Sequence, residues 1–180
     1  MIARAAALGI VLLVALLLQA VVAPALSVAG WRPDFILLTV VGLALADGPG
    51  PGARYGFVAG LAADLLSGGN HLVGINALVF LLVGDGLGRL RPYLSGTAHA
   101  GEAALGGLAG AVAFGLFGVL SLLLDIRQFT WQVLAEGIVA TALWTALGSP
   151  LAVRPMSALA RRFAGGEAAA AGAAAGGPRW

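Results

Sequence analysis

Asp47-Gly48-Pro49-Gly50-Pro51-Gly52 interrupts an apolar stretch that begins at Asp34 and ends at Leu66. Its reading sets the helix count. Glycine reaches positive φ and proline cannot continue a helical hydrogen-bond ladder, so two prolines interleaved with three glycines predict a firm break. Apolar blocks flank it at 34–46 and 53–66. Working outward, further blocks occupy 74–90, closed by Arg91-Pro92, then 102–124, then 129–147, broken at Ser149-Pro150. An earlier block occupies 5–29. The expected fold is all-α: a polytopic bundle of about six transmembrane helices within a single domain, 1–164. The Ala/Gly-rich segment 165–180 reads as a disordered cytoplasmic tail.

Composition supports membrane residence. The 180 residues are 60% hydrophobic and 10% charged, with a mean hydropathy of +0.98. Soluble domains carry about 25% charged residues, so this chain lacks a polar skin. Cysteine is absent, which excludes a disulfide framework and thiolate metal ligation. The net charge of +2 is too small to suggest nucleic-acid binding. All ten basic residues are arginine, which reads as coding bias.

Block 5–29 has a rival reading. Arg4, an apolar run and small residues near Ala23 and Ala29 imitate a signal peptide. The run exceeds the usual ~7–15-residue apolar core of such peptides, and further spans follow at once, so it is read as a retained helix.

Arginine placement gives the orientation. With six spans and a cytoplasmic N-terminus, eight arginines fall inside, and only Arg32 and Arg127 outside. This satisfies the positive-inside rule. Five spans, with blocks two and three fused and the N-terminus outside, leave Arg4 and Arg127 outside. Charge does not separate the two; the break at 47–52 favours six. A re-entrant hairpin would carry Asp47 and Arg54 into hydrocarbon, at several kcal/mol. Two short full spans are preferred. Residues 34–47 reach only ~21 Å as a helix, less than the ~30 Å hydrocarbon core, so they need partners or a thinned bilayer.

Glycines recur at helix-packing spacing: Gly56 with Gly60, Gly84 with Gly88, Gly106 with Gly110. In lipid such faces allow close backbone approach, here read as internal packing rather than a docking face. Asp85 and Arg89 are spaced to pair on one face. Glu102 opens a helix, where an anion is favoured. Asp34 follows Arg32-Pro33 as an N-cap. Asp64 lies in the last turn of its block, where the helix dipole disfavours an acid. It is expected to make a structural ion pair, with Arg32, Arg127 or His71 as candidates. Glu136, two turns into the last block, is expected to face the bundle interior. For both acids the alternative is a proton or solute pathway. The two histidines, His71 and His99, fall in loops on opposite sides. No catalytic constellation or metal-ligand cluster is legible, so neither an enzyme nor a cofactor is expected.

The stretch Gly56-Phe57-Val58-Ala59-Gly60-Leu61-Ala62-Ala63-Asp64-Leu65-Leu66-Ser67-Gly68, with Gly74-Ile75-Asn76-Ala77-Leu78, resembles the MreD family of rod shape-determining proteins. Arg32-Pro33-Asp34-Phe35-Ile36-Leu37-Leu38 is similar to that family's Pro-Asp followed by an apolar run. The loop 67–74 is longer than the family's usual turn. The resemblance implies a non-enzymatic bacterial inner-membrane subunit of the cell-elongation machinery; the arginine placement in the six-span reading sets both termini in the cytoplasm. The implied partners are an MreC-like single-span protein and, directly or indirectly, RodA, a class B penicillin-binding protein and the MreB filament. The implied fold is similar to the substrate-binding subunits of energy-coupling-factor transporters.

Two readings follow. In the first the chain is a scaffold: glycine-rich faces and the short second and third spans hold a partner's helix. Pro33, Asp34, Gly56, Gly60, Asp64 and Gly74 then maintain fold and interface. In the second it binds or transports a small vitamin-like solute, in an outer pocket drawn from Trp31, Asp64, Asn70, His71, Asn76 and Trp131. Tryptophan is enriched at membrane interfaces in any case, so the scaffold reading is preferred.

Overall fold

The computed structural model describes residues 2–66, 73–94, 99–124 and 130–175. Six helices account for nearly all of them. Helix α1 spans Ile2–Ala25 and contains one π-helical turn, Leu18–Val22. A tight reversal follows. Val28 and Trp31 exchange two backbone hydrogen bonds of 2.9 Å, across Ala29 and Gly30, both at positive φ. That pair of left-handed residues is what a type I′ turn requires.

Helix α2, Phe35–Asp47, starts on a true N-cap: Asp34 Oδ1 accepts the Leu37 N–H at 2.9 Å. Ten of its thirteen residues are buried, on every face. A helix apolar all round belongs in a core, and α2 is the post around which the bundle is built. It ends at Asp47. Gly48, at φ +92°, turns the chain while its N–H donates to the Ala44 carbonyl. Helix α3, Pro49–Leu66, begins at the next residue. The predicted break is therefore real but far smaller than expected. Its physical reason is that proline is suited to the first helical position, where its missing N–H has no intrahelical acceptor to lose. Residues 49–52 are helix, not loop.

Helix α4 spans Ile75–Leu90 and runs into a 3-10 turn, Arg91–Leu94. Helices α5, His99–Leu123, and α6, Trp131–Ala175, complete the described chain. Ser149-Pro150 does not end α6, contrary to expectation; Pro150 and Pro155 lie within it. Proline at 150 cannot donate to the Ala146 carbonyl, and the Ser149 hydroxyl donates to it instead at 3.2 Å. Beyond the proline, Val153 and Met156 are buried, with Met156 and the Ala152 carbonyl against Gly42 of α2. That packing offsets the ~3 kcal/mol usually lost to an interior proline. The helix extends to Ala175, inside the segment read as a tail.

The helices pair as two hairpins, α3 with α4 and α5 with α6, with α2 packed between them. Helix α1 rests on the outside, largely against α2. Of its residues only Ala15 and Ala23 are buried. Among the described residues, three helical segments are long and apolar enough to cross a membrane: Ile2–Ala25, Ala100–Leu123 and Trp131–Phe163. Helix α2 is apolar but only 13 residues long, about 20 Å. Its neighbours enclose it, which is how a short apolar helix is accommodated.

Candidate functional site

Asp64 organises one end of the α3–α4 hairpin. It sits in the last turn of α3 and is 4% exposed. Its Oδ2 accepts the Gly74 N–H at 2.7 Å and the Ala77 N–H at 3.3 Å. Its Oδ1 accepts the Asn76 N–H at 3.3 Å and the Asn76 side-chain amide at 2.8 Å. The carboxylate thus caps the first turn of α4, where orphan N–H groups and the positive end of the helix dipole favour an anion. Of the three candidates for an ion pair, Arg32 is not among these donors; Arg127 and His71 lie outside the described residues. The dipole that disfavours Asp64 in its own helix is answered by the dipole of the next one. Gly74, the N-cap residue at φ +112°, completes the geometry.

Beneath this knot the hairpin is sealed by glycine. A methyl added at Gly60 would overlap the Asn76 carbonyl, one at Gly56 the Phe80 carbonyl, and one at Gly52 the Gly84 carbonyl. Gly88 meets the backbone of Pro49 in the same way. On the other hairpin, Gly106 and Gly110 lie against Ser149 and Thr145. All three spaced glycine pairs are consumed by internal contacts. They cannot also hold a partner's helix, and neither can the enclosed α2, so that part of the scaffold expectation is corrected.

Pro33 is buried and Asp34 is half-buried at the start of α2. The Phe35 N–H beside them donates to Gln19 Oε1 at 2.8 Å. Gln19 lies in the π turn of α1, a conformation that often marks functional positions. Sequence reasoning missed it, although a single amide in a long apolar helix was a usable signal. Gln19, Arg32, Asp34, Asn76 and Phe80 together line two cavities of about 430 and 470 Å³. Asn76 therefore joins the Asp64 knot to the Asp34 cap. Trp31 borders the first cavity and stacks edge-on against Phe114 at 5.5 Å. Asn70 and His71 lie outside the described residues, and Trp131 lines neither cavity.

At the opposite end Arg4 of α1 pairs with Asp47 of α2 at 2.7 Å. Asp85 and Arg89 form the expected pair at 2.8 Å. Glu102 lies in the first turn of α5, as expected. Glu136 does not face the interior. It is exposed on α6, accepts the Gln132 amide at 3.0 Å, and borders an apolar groove of about 690 Å³. The physical reason is helical phase: Leu134 and Gly137 take the buried face, turning residue 136 outward. The carboxylates of Asp34 and Asp64 are occupied by backbone N–H groups at helix starts and, for Asp64, by the Asn76 amide as well, so their chemistry here is to start helices.

Among known protein families, the one described as rod shape-determining protein MreD matches residues 2–149 of the chain. That match contains Pro33, Asp34, Gly56, Gly60, Asp64 and Gly74. No curated protein and no solved structure matches the chain.

Proposed function

The chain belongs to the MreD family of rod shape-determining membrane proteins, and we propose that it is a non-enzymatic scaffold of the bacterial cell-elongation machinery. In this reading it lies in the inner membrane as six spans with both termini cytoplasmic. It holds an MreC-like single-span partner and, through it, supports peptidoglycan synthesis by RodA and a class B penicillin-binding protein along the MreB filament. The observation that carries the proposal is how the family-matching motif is used. Asp34 and Asp64 start helices, and Gly56 and Gly60 seat one helix on another. The motif thereby builds a rigid body, while broad apolar faces of α1 and α6 remain uncovered. Such faces mark association surfaces or lipid contact.

Co-expression with the MreC-like protein and purification in mild detergent test the reading. A stoichiometric complex supports it; two proteins that elute separately overturn it. The two cavities around Gln19, Arg32 and Asn76 favour a second reading, binding of a small polar solute. A molecule retained through purification, identified by mass spectrometry, supports that one.

A further inference from the structure

We propose that the groove between α6 and the Val28–Trp31 turn is the seat of a partner's transmembrane helix, and that Glu136 receives a basic side chain from it. The inference rests on the scaffold reading and adds the surface and its chemistry. Glu136, Val139, Ala140, Leu143 and Leu147 fall at i, i+3, i+4, i+7 and i+11, a single stripe along α6. The stripe is about three turns long, roughly 17 Å. Val139, Leu143 and Leu147 are exposed, and Trp31 stands as the opposite wall. A straight apolar trough of this length matches the side of another helix.

Glu136 decides what fills it. A carboxylate on a lipid-facing surface is expensive, and the partner shown for it is Gln132, itself exposed. An acyl chain supplies no donor. A second copy of this chain, packed about a two-fold axis through the groove, would bring one Glu136 toward the other, and like charges oppose that contact. A helix carrying arginine or lysine supplies both a counter-charge and donors, and the long stem lets the charge reach the site from the helix side. Glu136 lies five residues from Trp131, the first residue of α6, about 7.5 Å along the axis. The partner's basic residue belongs one to two turns inside its own apolar segment.

A photoreactive phenylalanine analogue at Leu143, in the full chain co-expressed with the MreC-like protein, tests this. A matched probe at Leu82, exposed on α4, is the control. The expected result is a heterodimeric adduct from 143 and none from 82. Glu136→Arg should lower its yield about tenfold, equivalent to ~1.4 kcal/mol. Replacing the mapped basic residue of the partner with glutamate should restore the yield in the Glu136→Arg background. Val139→Trp, which fills the trough without changing charge, should lower the yield in the same way if Glu136→Arg proves unstable in detergent. An adduct from 82 alone, or one of twice this chain's mass, overturns the inference, as does no protein adduct from 143 while the partner still co-purifies; in each case the scaffold reading stands. Failure of the partner to co-purify with the unsubstituted chain removes both.

Discussion

The α3–α4 hairpin and the outward faces of α1 and α6 are made of similar residues and do opposite things. In the hairpin, glycines remove side chains where backbones meet, and a buried acid satisfies the donors at the joint. On the outward faces of α1 and α6, large apolar side chains such as Leu13, Leu143 and Leu147 are exposed. In a bilayer, hydrophobicity does not distinguish inside from outside, because lipid is as apolar as leucine. Close backbone approach and hydrogen bonding do. The contrast is between a region that has spent its packing potential internally and one that has kept it.

Substitutions in the two regions should separate sharply. The largest effect is expected from Gly60→Val, because the new side chain would collide with backbone at Asn76. A loss above about 4 kcal/mol should appear as failure to recover monodisperse protein in detergent. Near-normal recovery would break the claim that the hairpin is sealed. Asp64→Ala comes next. It strands the donors of Gly74, Asn76 and Ala77, for about 2–3 kcal/mol. Asp64→Asn keeps one strong acceptor, so its thermal midpoint should lie between those of the parent and the alanine variant. Equal midpoints for the two variants would show that charge, rather than acceptor geometry, matters most. Arg4→Gln should cost about 0.5–1 kcal/mol, since its pair with Asp47 is partly open to solvent, with side chains 27% and 14% exposed. That loss should shrink at high salt. Leu13→Ala on the uncovered face of α1 should change stability by no more than about 0.5 kcal/mol; a larger shift in the thermal midpoint would mean that α1 is held more tightly than its exposure implies.

Much of this arrangement was legible in the sequence, for identifiable reasons. Helix number followed from the proline–glycine break, the Asp34 cap from its position ahead of an apolar run, and the Asp85–Arg89 pair from spacing of four. Asp64 was recognised as an acid needing compensation, but three of its four donors are backbone N–H groups ten or more residues away, which leave no signature in side-chain identity; the fourth is the Asn76 side-chain amide. Glu136 was misplaced because burial was inferred from cost alone; the phase set by Leu134 and Gly137 turns it outward. Continuation of α6 through Pro150 was hidden because it depends on packing against Gly42, more than a hundred residues earlier. Cost and spacing read well locally, whereas tertiary contacts override local propensity where a helix rests on a distant one.

Gly48 leaves the chain no slack between α2 and α3. With α2 ending at Asp47 and α3 starting at Pro49, the two helices share one joint, and neither can shift far without carrying the other. Helix α2 is too short to stay across the bilayer alone, and α3 carries Arg54 and Asp64, which no lone helix would place there cheaply. Asp64 acquires its donors only once α4 is in place, so the joint is complete only when that third helix has packed. Each of the three is thus tolerable to its surroundings only in the company of the others.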